Sequence, residues 1–323
     1  MDHKLLYLSR RDVESAGLTM REIIAALEAM FREKGEGRVE MPPKPGIHPR
    51  PDAFIHAMPA CIPAAASAGM KWVSGYPQNQ ARGLPYISGL LILNDADNGL
   101  PVVVMDCTWI TAMRTGAASA LAAKYLARPG SETLGILGCG VQARSHVEAL
   151  REVRPLRRVL AYDIDPRAAR TFAEGATEAF DLEVIVSASP REAVTGADIV
   201  VTAGPILKPP HATIRGGWLD RGAFASLVDY DSYWHPEAFG EVDKFCTDDL
   251  TQLEYYRSCG YFQNIPRIHA ELSELVTGRK PGRESDSERT MACNLGIALD
   301  DMATAPLVYR LALAKGLGTW LSL

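Results

Sequence analysis

Residues 134–143 read LGILGCGVQA. Gly138 permits a tight turn, and Gly140 lets the backbone approach a pyrophosphate that a following helix N-terminus stabilises through free N–H groups. Val141 and Gln142 lead from that loop into a helix over 143–153, and Ala143 is small enough for helix–strand packing where a third glycine often stands. Cys139, between the glycines, reads as small and inert. Asp163 closes the next apolar stretch, about where a carboxylate takes both adenosine ribose hydroxyls and repels a 2′-phosphate. The cofactor this predicts is NAD(H). The bland alternative for Asp163 is a turn residue ahead of Asp165-Pro166. Thr202, ending the apolar run Ile199–Thr202, joins the candidate cofactor-binding set.

Two cations stand among apolar or small neighbours. Lys71 follows Gly69-Met70 in a strand-like piece, and Arg114 lies in MRTGAAS. A buried lysine needs an anion, and arginine suits bidentate carboxylate binding. The residues alone leave Lys71 open as an edge-strand charge and Arg114 as an exposed helix cation.

The elements that would position these groups fall into two patterns. Residues 19–34 have apolar residues on one face at helical spacing, a capping box at Thr19 and Glu22, and terminating Gly35 and Gly37. A stiff loop with prolines at 42, 43, 45, 49 and 51 follows. Strand-like pieces at 53–57, 69–74, 87–93 and 101–105, separated by turn residues, predict an antiparallel or mixed sheet. An alanine-rich helix over 108–127 ends at Arg128-Pro129-Gly130.

Beyond it, strands at 133–137, 158–162, 183–187, 199–202 and 223–228 alternate with helices, and Asp165-Pro166 and Ser189-Pro190 open two of those helices. That pattern predicts a doubly wound parallel sheet. Residues 290–303 are compatible with a helix approaching the cofactor, and the last helix, over about 294–315, could return to the first domain.

At 323 residues, with 47% hydrophobic and 23% charged residues, the chain reads as a globular protein of two domains. A net charge of −5 offers no field for nucleic acid or acidic lipid. The six cysteines have no C-x2-C or zinc-like spacing, which speaks against a disulfide scaffold or metal module. MDHKLLYLSRRD lacks a signal-peptide run, and no stretch approaches about 18 apolar residues. The expected setting is a reducing cytoplasm, without membrane or nucleic-acid partners.

MKWVSGYPQN (70–79), DADNGLPVVVMD (95–106), TAMRTGAAS (111–119), GILGCGVQA (135–143) and NLGIALDD (294–301) occur in an order and spacing that resembles the ornithine cyclodeaminase/μ-crystallin family. The resemblance covers nearly the whole chain. It implies an α/β fold: a central Rossmann domain, 129–299, and an α+β substrate and dimerisation domain, 1–128 with 300–323. It also implies a homodimer paired through the first domain's sheet. The implied chemistry is hydride transfer at the α-carbon of a small amino or imino acid with NAD. An imine (ketimine) reductase or an alanine-dehydrogenase-like enzyme fits best. The alternatives are a cyclodeaminase, a lyase releasing ammonia with catalytic NAD, and a crystallin-like binder without turnover.

By that resemblance Lys71 and Arg114 match the carboxylate-binding pair. Lys44 of MPPKP stands where relatives carry an arginine. Glu237 sets the register that makes Asp231 the catalytic aspartate, with Asp229 its neighbour. Asn294, where relatives often place serine, is a cofactor-side candidate. His56 of FIHAMPA occupies the place of a glutamate in ornithine cyclodeaminases, which lowers the attraction for a distal ammonium. His56 reads equally as a general acid/base or a satisfied core histidine. Asp231, Lys71 and His56 are the candidate catalytic residues.

Overall fold

Thr19 does begin a helix. In a computed structural model its side chain accepts from the Glu22 amide, and the Glu22 carboxylate accepts from the Thr19 amide. That helix buries Ile23, Ile24, Leu27, Met30 and Phe31, side chains whose burial is worth roughly 1.5–3 kcal/mol each. The structure describes residues 3–50 and 52–323, and of Gln80 only the backbone. The first two residues of the N-terminal segment and the last proline of the proline-rich loop, Pro51, lie outside the described residues.

The chain forms two compact units, Met1–Arg114 with Ile297–Leu323, and Thr115–Gly296. The first runs β1 (Lys4–Leu8), α1 (Arg10–Ser15), α2 (Met20–Gly35), β2 (Gly46–Ile47), β3 (Phe54–Ile62), β4 (Ser67–Gly75), β5 (Ile87–Asn94), β6 (Pro101–Asp106) and the start of α3 (Thr108–Leu126). The second holds β7 (Thr133–Leu137), α4 (Val141–Leu150), β8 (Arg158–Tyr162), α5 (Pro166–Phe180), β9 (Glu183–Val186), α6 (Pro190–Val194), β10 (Ile199–Thr202), β11 (Phe224–Leu227), α7 (Pro236–Phe239), β12 (Lys244–Thr247), α8 (Leu250–Ser258), β13 (Ile268–Glu271), α9 (Leu272–Val276) and β14 (Thr290–Cys293). The chain then returns to the first unit with α10 (Ala298–Ala314) and β15 (Thr319–Ser322).

The sheet of the first unit has the order β15-β1-β6-β5-β4-β3-β2. Among the described residues only β1 and β6 pair in parallel, so it is mixed, as the turn residues predicted. Successive side chains alternate between faces. Met58, Lys71, Leu91 and Met105 form one cross-strand row, all buried. Pro59, Met70, Ile92, Val104 and Tyr7 form the next row, on the opposite face. Helix α10 packs on β3, β4 and α2.

The sheet of the second unit has the order β13-β12-β14-β11-β10-β7-β8-β9, with every pair parallel. Strand order reverses beside β7, whose neighbours are β8 and β10. The carboxyl ends of the strands at such a switch point form the crevice where nucleotides bind.

Three expectations need correction. The first division falls at Arg114 rather than 128, because the second half of α3 packs within the Rossmann unit: Ser119 Oγ lies 2.9 Å from both His146 Nε2 and Ser226 Oγ. The second falls at Ile297 rather than 300. Residues 290–293 are not helical but form β14, a central strand with all four residues buried. A short buried apolar run has no periodicity that separates helix from strand. The last helix therefore begins at Ala298, and Asn294 directly follows the strand β14.

Candidate active site

The loop after β7 has the geometry that the glycine pattern demanded. Gly138 has φ +95°, and a Cβ there would stand 2.7 Å from the Ala203 carbonyl oxygen. Gly140 caps α4 with open space where a Cβ would be and with no side-chain cap on the helix amides. First-turn amides that no side chain caps suit an anion. Val141 is 71% exposed and Ala143 is buried. The Gln142 side chain accepts from Ser145 Oγ at 3.2 Å.

Asp163 follows β8 and is pinned from both sides. Its Oδ2 accepts from the Cys139 amide at 2.7 Å and its Oδ1 from the Asp165 amide at 2.9 Å. It is therefore a turn residue, and its carboxylate also fastens the glycine loop to the next strand. Each oxygen keeps a lone pair for a hydroxyl donor.

Three further candidates stand at carboxyl ends of neighbouring strands. Thr202, ending β10, donates to Asp229 Oδ1 at 2.7 Å and accepts from Trp234 Nε1 at 3.2 Å. Asp229 Oδ2 accepts from the Gly204 amide at 2.9 Å. Thr202 is thus committed to a brace between two loops. Burial pushes the Asp229 carboxyl up to about 7, opposed by those hydrogen bonds and supported by the nearby Asp231 charge.

Asp231 differs. Its Oδ2 accepts from the Phe262 amide at 3.0 Å, while its Oδ1 is buried without a hydrogen-bond partner among the described residues. Burial raises its proton affinity above the ordinary carboxylate value. Tyr230, just before it, and Phe262, its donor, have φ of 63° and 56°. Positive φ at bulky residues costs of order 1–3 kcal/mol and gathers at functional sites. The Tyr230 ring packs against Tyr256, Tyr261 and Phe262 with centroids 5.0–5.6 Å apart. Asn294, at the end of β14 beside β11, is buried with both amide atoms unpartnered among the described residues. An orphaned carboxylate oxygen and an orphaned amide at adjacent strand ends are costly unless a ligand completes them.

In the first unit, Lys71 is neither an edge nor a solvated charge. It sits in β4 between β3 and β5 with no exposure, and its Nζ pairs with Asp301 Oδ2 at 2.6 Å. Arg114 is also buried. Its Nε lies 3.4 Å from Asp301 Oδ1 and its Nη1 3.5 Å from Asp300 Oδ2. Asp301 thus brings the two cations together and Asp300 adds a contact to Arg114, two carboxylates absent from the sequence-based candidates. Their signal was present: adjacent aspartates in ALDDMATAPLV, an otherwise apolar helical run, must be paired.

Lys44 is buried and acts electrostatically on His56. His56 stacks on Phe54 with ring centroids 4.3 Å apart. Burial first, then Lys44, His48 and Lys71, push its imidazole down to about 3. That environment favours the neutral ring.

The sequence matches the profile of the ornithine cyclodeaminase/mu-crystallin family over residues 4–316. It is 37% identical to the nodulation efficiency protein NfeD of Rhizobium meliloti over 318 residues, 98% of each chain. The fold superposes with a TM-score of 0.89 on Thermococcus litoralis Δ1-pyrroline-2-carboxylate reductase in complex with NADH and L-proline, at 36% identity over 98% of this chain and 99% of that one. An archaeal alanine dehydrogenase dimer with bound NAD gives 0.88 at 33% identity, over 99% of each chain. With the glycine loop, the pinned Asp163 and the paired Lys71 and Arg114 in place, the chain belongs to the ornithine cyclodeaminase/mu-crystallin family.

Proposed function

We propose that this protein is an NAD(H)-dependent oxidoreductase acting at the α-carbon of a small amino or imino acid, as an imine (ketimine) reductase or an alanine-dehydrogenase-like enzyme. The observation that carries the reading is Asp231: one oxygen held by a backbone amide, the other buried and unpartnered. The residues fit the dinucleotide. Gly138, Gly140, Val141, Gln142 and Ala143 form the pyrophosphate turn, Asp163 takes the adenosine ribose, and Asn294 offers an unpartnered donor and acceptor to a carboxamide. Thr202 supports the site through Asp229. NAD(H), when bound, supplies or accepts hydride at its nicotinamide ring.

Lys71 and Arg114, with Lys44, bind the substrate carboxylate. Arg114 has donors to spare, since its contacts to Asp300 and Asp301 are longer than the roughly 2.7–2.9 Å of a charge-assisted hydrogen bond. Asp231 serves the substrate nitrogen. In reduction it stabilises the protonated imine; in oxidation it accepts the amine proton. Its raised proton affinity brings it closer to neutral pH, where such transfers work best. Neutral His56 lines the first unit without a charge for a distal ammonium.

We place the enzyme in the cytoplasm as a homodimer. All six cysteines are free, as in a reducing compartment, and no helix among the described residues is long and apolar enough to cross a membrane. On the sheet face opposite α10, Trp72 is 44% and Leu90 43% exposed as cross-strand partners, next to the row from Pro59 to Tyr7. A contiguous apolar face of this kind suits a second copy.

The test is a screen of amino acids, cyclic imines and keto acid–amine pairs with NAD+ or NADH, reading absorbance and ammonia together. Net NADH change with an amino or imino acid supports the proposal. Ammonia release without net NADH change identifies a cyclodeaminase instead, and NADH binding without turnover on the whole panel identifies a crystallin-like binder.

A further inference from the structure

We propose that Asp301 is a positioning residue that bridges Lys71 and Arg114 and keeps the lysine charged for the substrate carboxylate. The inference rests on the function proposed above but concerns a residue outside the family's carboxylate-binding set. Asp301 spans the two cations with one carboxylate, Oδ2 to Lys71 and Oδ1 to Arg114. Asp300 adds a contact to the same guanidinium and is tied to its own helix through the Ile297 amide at 3.3 Å. Both aspartates lie in the first turn of α10, whose amides favour negative charge.

Lys71 has no exposure to water. Burial lowers its proton affinity most, the Arg114 charge lowers it further, and Asp301 opposes both. The other titratable groups that face it offer little help. Cys107 is a thiol that burial pushes up to about 11, and the His56 imidazole is pushed down to about 3. The flanking partners of Lys71 on β3 and β5 are Met58 and Leu91. Asp301 is therefore the chief group that holds a proton on Lys71. Without it, two buried like charges would face each other, and the lysine would shed its proton first.

A structural ion pair alone would move stability and leave substrate affinity intact. Asp301→Asn is measured against wild type on a substrate found by the screen. The expected result is a substrate KM higher by roughly tenfold or more at pH 8, the scale of one charged hydrogen bond. The fall in kcat is smaller, NADH affinity is unchanged, and the alkaline limb of kcat/KM moves to lower pH. Asp301→Glu restores part of the loss. An unchanged or lowered KM with an unchanged pH profile overturns the proposal.

A second measurement leaves Asp301 in place: 15N-lysine NMR of the wild-type protein, with the Lys71 signal assigned by its loss in Lys71→Met. A protonated Lys71 at pH 8 that responds to an added carboxylate supports the proposal. A neutral amine at that pH, or a charged one indifferent to carboxylates, overturns it, whether or not Asp301→Asn folds. Absence of turnover by wild type on every substrate refutes the proposed function instead, and leaves the NMR result to decide for Asp301.

Discussion

Asp163 offers the sharpest test of the cofactor assignment, because its two oxygens already have known partners. Replacement by alanine removes the acceptor for the Cys139 amide at 2.7 Å and for the Asp165 amide at 2.9 Å. On the proposed assignment it also removes one or two charged hydrogen bonds to the ribose, each worth about 1.5–3 kcal/mol. Water replaces part of this, so a net loss of about 2–4 kcal/mol corresponds to NADH binding weaker by roughly 30- to 1000-fold. NADPH should respond differently. The carboxylate repels a 2′-phosphate by about 1 kcal/mol per charge pair at 4 Å in a water-like medium, and that repulsion disappears. Asp163→Asn keeps one acceptor oxygen while losing the charge, so it separates loop support from charge. Dissociation constants for both dinucleotides, by fluorescence titration of folded variants with Tm as control, decide the matter. NADH affinity within twofold of wild type and an unchanged NADH to NADPH ratio in both variants would refute the ribose assignment.

Asp231→Asn should lower kcat by about 10²–10⁴-fold, the usual share of a positioned acid or base, with NADH affinity intact; near-normal turnover removes Asp231 from the mechanism. Asp229 should leave a signature in stability. Its folded carboxyl titrates near 7, against an ordinary value of 3.8. Between those values the folded state binds more protons than the unfolded state, so wild-type stability falls as pH rises through that window. Asp229→Asn lacks the titration, and its Tm relative to wild type should improve steadily from pH 4 to pH 8; a constant difference contradicts the assignment. Trp72→Glu, at the centre of the exposed apolar face, should shift sedimentation from dimer to monomer while the isolated chain still binds NADH, and an undisturbed dimer would place the interface elsewhere.

Local signals carried most of the architecture. Thr19 and Glu22 cap α2, Asp165-Pro166 and Ser189-Pro190 start α5 and α6, and the glycine loop joins β7 to α4. Each is a short-range rule that acts within a few residues. The strands β12, β13 and β14 were not read from the sequence. Each has four residues, and β14 enters between β11 and β12 out of chain order. Runs that short are defined by their neighbours on either side, not by their own periodicity.

The candidate site divides along the same line. Residues that act through the backbone beside them, such as Gly138 and Asp163, were legible because their partners are local or lie one strand away. The pairing of Lys71 was not, because its carboxylate partner lies 230 positions along the chain at Asp301. Burying a lysine at the centre of a sheet is prohibitive without an anion, so its presence among apolar neighbours already demanded one. The sequence could state that demand but not which carboxylate met it. The apolar setting of Asp300 and Asp301 in α10 was the other half of the same demand. Unmatched buried charges of opposite sign, far apart in the chain, should therefore be read as candidate pairs before either is given to a ligand. For this enzyme the consequence is chemical. On the function proposed above, a substrate carboxylate meets two cations already partnered by two anions, and its affinity then depends on the donors that Arg114 and Lys71 have left over.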